Sequence, residues 1–383
     1  MCHECETRTS QAQRETEEIV LEAFARTSKE EEGGSNELFV QATKEYLESG
    51  LLGRLNPGFS SLDASKPWLC YWMLHALSLL GADHVFLDDQ VADKVIATLN
   101  QCQNAKSGGY GGGYLQLAHT APTYAGVMAL VTLNSKPALR TINRGTLYRY
   151  FLSLKLSDGG FQVHEDGESD SRAMYTVLAV ASLTNMLTTE LTDKCLEWIA
   201  TTQGFDGGFG GEPGNESHGG YAFCTLASLV LLHNANCELD VSGKVDLDAL
   251  AHWLAFRQMQ VEGGFQGRTN KLVDSCYSFW QGASFQLINR LGSGTFPQCN
   301  SDRLLRYVFG ACRHEYGGLK DKPDTGRDYY HTCYSLSGVS VADHAKAGLR
   351  ETDPVFNVTV DKLSHAKLFF ARQPSSHQEL MSL

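Results

Sequence analysis

The stretch DGGFGGE, residues 206–212, carries the pattern that decides the fold. Paired glycines recur along the chain, and glycine permits the positive φ and the close backbone approach of a tight turn. The first members are residues 108, 159, 207, 263 and 317, so the gaps are 51, 48, 56 and 54 residues. A period of about fifty residues is typical of repeat proteins. The other stretches of this kind are SGGYGGG (107–113), DGGFQ (158–162), EGGFQGR (262–268) and YGGLKDK (316–322).

Helix-like runs of two types accompany the glycine pairs. One type is small and apolar on all sides, as in GGYAFCTLASL (219–229), and the other is amphipathic, as in LTDKCLEWIATTQ (191–203). Strand-like alternation is scarce, so the repeats predict helical hairpins in an open solenoid or in a closed α/α toroid. In a toroid, the all-apolar runs form the inner wall and the amphipathic runs form the outer wall.

Aromatic residues recur in phase with this pattern. Together with Trp68, Trp72 and Trp280, they indicate an aromatic-lined cavity, although ordinary core packing would explain any one of them alone. The tyrosines that stand near the starts of the apolar runs are Tyr71, Tyr124, Tyr175, Tyr221, Tyr277 and Tyr334.

Composition excludes several classes of protein. The chain has 383 residues and a net charge of −12, which argues against a general nucleic-acid-binding protein. No apolar run reaches the ~20 residues that span a bilayer, and the polar N-terminus does not resemble a secretory signal. The eleven cysteines, an odd number, lie mostly in apolar runs, which indicates reduced thiols. We therefore expect a cytoplasmic protein without a transmembrane segment.

The extent of the repeat sets the expected domain boundaries. Residues 1–45 precede it and are expected to form a polar, frayed segment. The Cys-x-x-Cys of MCHEC (1–5) is only half of a zinc site. Residues 46–373 are expected to form the α/α-barrel domain, and residues 374–383 a polar tail.

Three residues just before the apolar runs of neighbouring repeats form a candidate metal site. Asp274 and Cys276, in KLVDSCYSFW (271–280), are two apart and would point about 200° apart on a regular helix. They converge only where the helix has not yet begun. His331, in DYYHTCYSL (328–336), follows Cys276 by 55 residues, one repeat later. Carboxylate, thiolate and imidazole suit zinc and leave a fourth position open. The alternative is structural, with an N-cap aspartate, a buried thiol and a core histidine.

Basic side chains are concentrated near the starts of the same apolar runs. Arg268 and Lys271 precede Asp274, and His218 and Arg172 occupy matching places in earlier repeats. Helix N-termini there add free N–H donors, so the rim suits an anion such as diphosphate. Solvated surface charges are the alternative for each residue. Zinc, a diphosphate site and an aromatic cavity together suggest that a thiolate attacks a carbon bearing a diphosphate leaving group.

Long blocks of the sequence resemble the β subunits of protein prenyltransferases, from about Leu51 to Gln373. The clearest are LDASKPWLCYW (62–72), GGFQGRTNKLVDSCYSFW (263–280) and DKPDTGRDYYHTCYSLSG (321–338). Within that family the chain is most similar to the farnesyl-transferring type. The resemblance implies an α/α toroid with six inner and six outer helices, paired with a separate α subunit. It also implies transfer of farnesyl from farnesyl diphosphate to the cysteine of a C-terminal CaaX motif, with one Zn²⁺ and with Mg²⁺ at the diphosphate.

The resemblance also implies roles for individual residues. Asp274, Cys276 and His331 would hold zinc, and Asp321 would support Mg²⁺. The diphosphate would be bound by His218, Arg268, Lys271 and Tyr277. The isoprenoid channel would be lined by Trp280, Tyr221, Arg172, Tyr175, Tyr124 and Cys224. The CaaX peptide would contact Ala64, Ser65, Trp68, Trp72, His119, Ala121, Pro122 and Tyr330.

The length of the lipid that is accepted is expected to depend on the size of the side chains at the end of the channel. Trp68 and Tyr334 match positions where the resemblance implies large side chains in the farnesyl type and smaller ones in the geranylgeranyl type. Each extra CH₂ would favour the longer lipid by about 0.8 kcal/mol, so steric exclusion must decide. Asp324 and Thr325 depart from the family pattern, which bears on the charge near Asp321.

Two other functions remain as alternatives: a geranylgeranyltransferase type I β subunit, and a helical scaffold that binds peptides without catalysis.

Overall fold

The computed structural model describes residues 7–31, 35–53, 55, 57–236, 239–291 and 295–383. Within these ranges regular structure is helical, and extended pairing is limited to isolated β-bridges. None of the described helices is long and apolar enough to cross a membrane. The α-helices are α1 (Arg8–Glu31), α2 (Ser35–Leu52), α3 (Lys66–Leu79), α4 (His84–Leu87), α5 (Asp89–Cys102), α6 (Thr120–Thr132), α7 (Lys136–Arg140), α8 (Arg144–Leu154), α9 (Ser171–Leu183), α10 (Thr189–Thr192), α11 (Cys195–Ala200), α12 (Gly219–Ala235), α13 (Leu247–Ala255), α14 (Tyr277–Ile288), α15 (Ser301–Ala311), α16 (Tyr329–Ala347), α17 (Val360–Phe370) and α18 (His377–Ser382).

The helices form two concentric layers. The inner helices α3, α6, α9, α12, α14 and α16 each pack against the next, and α16 packs back against α3, so the ring closes. The outer helices are α2, α5, α8, α11, α13 and α15, each leading into the inner helix of its repeat. The predicted α/α toroid is confirmed, and the open solenoid is not formed.

Sequence pattern decides which layer a helix joins. Helix α12 is apolar on nearly all sides and is buried from Ala222 to Leu232, as an inner wall requires. Helix α15 buries only one face, formed by Leu304, Leu305, Tyr307, Val308 and Ala311. Its opposite face carries charged residues toward solvent.

The glycine turns lie at the end of the barrel where the inner helices begin, which we call the rim. At Gly207, φ is +88° and a Cβ would collide with the backbone of Ala249 on α13, so only glycine fits there. A ladder of five backbone hydrogen bonds joins the first five inner helices each to the turn of the next repeat. Its donors and acceptors are Lys66 N and Gly112 O (2.9 Å), Thr120 N and Val163 O (2.8 Å), Ser171 N and Gly211 O (3.0 Å), Gly219 N and Gly267 O (2.7 Å), and Ser275 N and Asp321 O (2.8 Å).

The chain termini differ from the sequence expectation. Residues 8–31 and 35–52 are helical, so the described part of the N-terminal segment is not frayed. Helix α2 is an outer helix of the toroid and crosses the predicted boundary at residue 46. Cys2 and Cys5 lie outside the described residues. At the other end, α18 packs against α8 with Leu380 fully buried, so residues 374–383 are not a free tail.

The end of the barrel opposite the rim is closed by residues 353–359, which we call the floor segment. It enters the ring along α3: Thr359 Oγ1 lies 3.2 Å from Ser78 Oγ, and Asn357 Oδ1 lies 3.0 Å from His75 Nε2. The floor segment therefore closes the ring at this end.

All cysteines among the described residues are free thiols.

Candidate functional site

The predicted metal ligands come together at the rim. One ligand atom each from Asp274, Cys276 and His331 lies within 4.8 Å of the other two. Asp274 Oδ1 is 3.4 Å from His331 Nε2, which is about the separation of two ligands on one tetrahedral zinc ion with bonds of ~2.0–2.1 Å. Cys276 is buried, while the other two side chains are partly exposed. The spacing therefore fits a single ion with an open side toward the cavity.

The local backbone explains why Asp274 and Cys276 converge. Both precede α14, which begins at Tyr277, as the sequence predicted. The backbone N–H of Ser275 is fixed by Asp321 O, and the Ser275 hydroxyl donates to Lys320 O at 2.7 Å. Cys276 N–H donates to Asp274 Oδ1 at 2.9 Å. Ser275 therefore faces the next repeat, and its two neighbours face the cavity.

His331 is oriented by Asp328, the N-cap of α16. Asp328 Oδ1 accepts the His331 backbone N–H at 2.7 Å, and Oδ2 lies 2.6 Å from Nδ1 of the ring. The imidazole thus presents Nε2 to Asp274. A carboxylate behind a histidine is the usual support for a metal ligand.

The electrostatics of the three residues call for a cation. Burial and the Asp274 carboxylate raise the pKa of the Cys276 thiol well above its ordinary value. Burial alone would lower the pKa of His331, but hydrogen bonds to Asp274 and Asp328 raise it to about 10. Without a metal, a proton on His331 thus offsets only one of the two carboxylate charges. Zinc could take its place and stabilise the thiolate, so the donor set and its charge fit this ion.

A second polar cluster lies beside the metal residues. His218 is the N-cap of α12, and its Nδ1 accepts the Gly220 N–H at 3.1 Å, so the neutral ring carries its proton on Nε2. That Nε2 is 2.9 Å from the Tyr277 hydroxyl. The Tyr277 oxygen therefore accepts, which leaves its own O–H free to donate. Burial, and then Arg268, lower the pKa of His218, which keeps this arrangement neutral.

The basic residues of the rim have different surroundings. Arg268 forms an ion pair with Glu216, and Lys271 is exposed. Arg172 pairs with the buried Asp170 at 2.5 Å and lies 5.7 Å from the Tyr221 ring centroid. The hydrogen bond to Asp170 raises the pKa of Arg172. Arg268 and Lys271 therefore have charge to offer an anion, whereas Arg172 is largely committed to Asp170.

Aromatic side chains from all six inner helices form a closed ring inside the barrel. Every helix of the inner wall contributes at least one member, so the cavity is lined by rings on every side. One link of the ring is a hydrogen bond, in which Trp280 Nε1 donates to the Tyr330 hydroxyl at 3.1 Å. The other links are ring contacts, with centroid distances of 5.9 Å for Trp68–Tyr124, 5.3 Å for Tyr124–Tyr175, 5.1 Å for Tyr175–Phe223, 5.1 Å for Phe223–Trp280, 5.5 Å for Tyr330–Trp72 and 5.6 Å for Trp72–Trp68.

Comparison with known proteins identifies the family. The chain matches the prenyltransferase alpha-alpha toroid domain over residues 38–358. It is 40% identical over 371 residues to the β subunit of protein farnesyltransferase from Arabidopsis thaliana, covering 81% of this chain and 74% of that protein. The chain belongs to the protein farnesyltransferase β-subunit family. The Schizosaccharomyces pombe β subunit is 38% identical over 315 residues, covering 80% of this chain and 79% of that protein.

A solved structure supports the fold. The protein geranylgeranyltransferase-I of Candida albicans, complexed with GGPP, superposes with a TM-score of 0.71 and 22% sequence identity. The match covers 86% of this chain and 98% of that one. At this identity the likeness shows the toroid only. Membership of the farnesyltransferase β-subunit family makes the chain part of a prenyl-transferring enzyme.

The residues predicted to bind peptide lie around one sector of the rim. Ala64 and Ser65 end the 3₁₀ segment before α3, and the ladder bond from Lys66 N to Gly112 O joins them to the next turn. His119 caps α6 through Nδ1, which accepts the Ala121 N–H at 3.0 Å. The structure thus brings these residues to the mouth of the cavity, and their contacts with peptide stay a prediction. Of the others in the set, Trp68, Pro122 and Tyr330 lie in the first turns of α3, α6 and α16, and Trp72 lies in the second turn of α3.

Apart from Arg172, which is exposed, the predicted isoprenoid residues divide into two groups. Trp280 and Tyr221 keep partial exposure, as expected for a lined channel. Tyr124, Tyr175 and Cys224 are buried, and the two tyrosine hydroxyls reach the floor segment. These three would bound the channel at depth. Their roles stay predictions.

Asp321 already has partners of its own. Its carboxylate accepts from Lys322 N at 2.7 Å and from the Thr325 hydroxyl at 2.5 Å, and it pairs with Lys322 Nζ. A Mg²⁺ ion there would compete with these donors. The departure at Thr325 thus acts directly on the predicted Mg²⁺ support.

Sequence reasoning missed four residues that shape the site. Asp328 could have been found, because an aspartate three residues before a histidine fits an N-cap that also reaches the ring. Phe223, Ser275 and Glu216 gave no separate signal, since their roles depend on neighbours from other repeats. Phe223 closes the aromatic ring, Ser275 sets the backbone between two ligands, and Glu216 pairs with Arg268.

Proposed function

We propose that the chain is the β subunit of a zinc-dependent protein farnesyltransferase. Together with a separate α subunit, it would transfer farnesyl from farnesyl diphosphate to the cysteine thiol of a C-terminal CaaX motif. The observation that carries this proposal is the convergence of Asp274, Cys276 and His331 at the mouth of an aromatic-lined barrel. A zinc ion held there would supply a Lewis acid that lowers the pKa of an incoming thiol.

The residues beside the metal ligands suit the leaving group. As sulfur bonds to C1 of the lipid, the C1–O bond breaks and diphosphate leaves with the electron pair. The free O–H of Tyr277 and the charges of Arg268 and Lys271 can stabilise that developing charge. Arg268 must exchange Glu216 for the diphosphate, which an exposed ion pair allows at small cost. Mg²⁺ near Asp321 would add to this stabilisation.

The aromatic ring suits the hydrocarbon and excludes water from it. Trp68 and Tyr334 are the candidates for the length limit. Tyr334 is 2% exposed and packs on Trp280 at 4.4 Å, so a ring of full size fills the space behind the channel wall. This bulk favours the farnesyl group over a geranylgeranyl group, and the identity to farnesyltransferase β subunits supports the same choice.

A competition assay tests the proposal. The chain is co-expressed with a farnesyltransferase α subunit and given a CaaX peptide with both lipid diphosphates at equal concentration, plus Zn²⁺ and Mg²⁺. We expect mainly farnesylated peptide, lost in Cys276→Ala but kept in Cys333→Ala, a buried thiol on α16. Mainly geranylgeranylated product would favour the type I alternative. A correctly paired complex that binds peptide without transferring either lipid would favour the scaffold.

A further inference from the structure

Three of the in-phase tyrosines share a role that plain core packing does not explain. They stand on consecutive inner helices, and their hydroxyl groups donate to the carbonyl oxygens of three consecutive residues of the floor segment. The bonds run from Tyr71 to Asn357 (2.7 Å), from Tyr124 to Phe356 (2.8 Å) and from Tyr175 to Val355 (2.7 Å).

These carbonyl oxygens depend on the tyrosines. Val355, Phe356 and Asn357 are between 1% and 3% exposed, and no backbone N–H of the described residues donates to their oxygens. Asn357 has a φ of +49°, so the segment turns sharply there and cannot pair as a strand. A buried acceptor without a partner costs about 1–3 kcal/mol. The hydroxyls therefore satisfy the polar floor and cover it with aromatic rings.

The same tyrosines support the ring that is expected to limit lipid length. Trp68 lies one turn of α3 before Tyr71, and the two rings meet edge to face at 6.0 Å. Trp68 also contacts Tyr124 at 5.9 Å. Tyr71 in turn stacks on His75 at 5.6 Å, and His75 is bonded to the Asn357 side chain. Trp68 thus rests on two rings that are fixed to the floor.

We propose that Tyr71 is a positioning residue for lipid selection. Its bond to Asn357 O holds the Tyr71 ring and the floor segment together, and this fixes Trp68 across the end of the channel. Loss of the hydroxyl leaves a buried carbonyl unpaired, so the segment and the Trp68 support move apart and a longer lipid gains room. The proposal rests on the proposed farnesyl transfer and adds the element that enforces its length limit.

The test compares Tyr71→Phe with Tyr148→Phe in the complex with the α subunit. Tyr148 is equally buried, and its hydroxyl lies 2.8 Å from both Thr188 Oγ1 and His377 Nδ1, on an outer helix far from the floor segment. Each change removes one bonded hydroxyl and keeps the ring. The readout is the ratio of farnesylated to geranylgeranylated peptide when both lipids compete. Misfolding lowers both products equally, so the ratio reports selection and not the folded fraction.

We expect the ratio to fall about fivefold in Tyr71→Phe, the change that one lost hydrogen bond of about 1 kcal/mol corresponds to. Tyr148→Phe should keep the wild-type ratio. A wild-type ratio in Tyr71→Phe, or an equal fall in both variants, would overturn the positioning role.

Trp68→Thr, run beside them, should lower the ratio more than Tyr71→Phe. If Trp68→Thr has no effect while the wild type still farnesylates, the length limit lies elsewhere and the role of Tyr71 fails with it. If the wild type transfers neither lipid, the proposed function itself is wrong.

Discussion

Asp328→Asn should weaken zinc binding while leaving α16 intact. Asp328 acts twice at the start of that helix, as the N-cap that accepts the His331 N–H and as the partner of His331 Nδ1. Asparagine keeps the cap, because Asn and Asp are about equally good N-caps. It removes the negative charge that orients the imidazole and makes it a better ligand.

The size of the effect follows from the supporting role of the carboxylate. Removing such a partner typically lowers metal affinity about 10–100-fold, which corresponds to about 1.4–2.7 kcal/mol. The pH dependence should change as well. Asp274 and Asp328 overcome burial and raise the pKa of metal-free His331 to about 10, so zinc must displace a proton at neutral pH. Wild-type affinity should therefore rise with pH toward that value. In Asp328→Asn the pKa is lower, so the rise should end at lower pH.

The assay is a zinc titration of the complex with the α subunit against a chelating indicator, at neutral and at alkaline pH. Asp246→Asn is the matched control, because Asp246 caps α13 by accepting the Ala249 N–H at 2.8 Å and supports no predicted metal ligand. We expect weaker zinc binding in Asp328→Asn alone at alkaline pH, where the proton on His331 competes least, and a smaller difference at neutral pH, where this proton competes more strongly in the wild type. Melting temperatures of the zinc-free complexes should stay close to wild type. Unchanged zinc affinity at alkaline pH, or an equal loss in the control, would refute the supporting role of Asp328.

Thr325 and Glu262 offer two further tests. Thr325→Val removes one of the two hydrogen bonds that Asp321 Oδ1 accepts, so the Mg²⁺ concentration for half-maximal transfer should fall about fivefold, as one lost hydrogen bond implies; a rise would contradict competition for that carboxylate. Glu262 is 1% exposed, with one oxygen bonded to Gln13 and the other unpaired. Burial raises the pKa of Glu262 in the folded protein. As the pH rises through that pKa, ionisation of the buried carboxyl therefore lowers the free energy of unfolding. Glu262→Gln should therefore melt higher than wild type at alkaline pH and lose this advantage in acid, and an advantage that is constant with pH would contradict the burial cost.

The toroid and the metal residues could be predicted because the repeat carries them. Glycine turns and all-apolar runs mark each unit, and a closed ring places equivalent positions side by side. That reasoning brought Asp274 and Cys276 together with His331, which follows Cys276 by 55 residues. It also indicated that the first two must precede a helix, as they do.

Features outside the repeat could not be predicted in this way. The floor segment follows the last inner helix and is not part of the repeat. The sequence pattern therefore could not predict that Tyr71, Tyr124 and Tyr175 would bond to it. The two N-terminal helices, α1 and α2, were not predicted because their sequences are largely polar. They bury only a narrow face, with residues such as Phe24 on α1 and Leu47 on α2.

The zinc content of the purified complex tests the central claim most directly. Zinc would be measured in wild type, Cys276→Ala and Cys333→Ala, each co-expressed with the α subunit and washed free of loosely bound metal. We predict one zinc per β subunit in wild type and in Cys333→Ala, and little or none in Cys276→Ala. Full zinc occupancy in Cys276→Ala, or none in an active wild-type complex, would contradict the assignment of Asp274, Cys276 and His331 as the metal site.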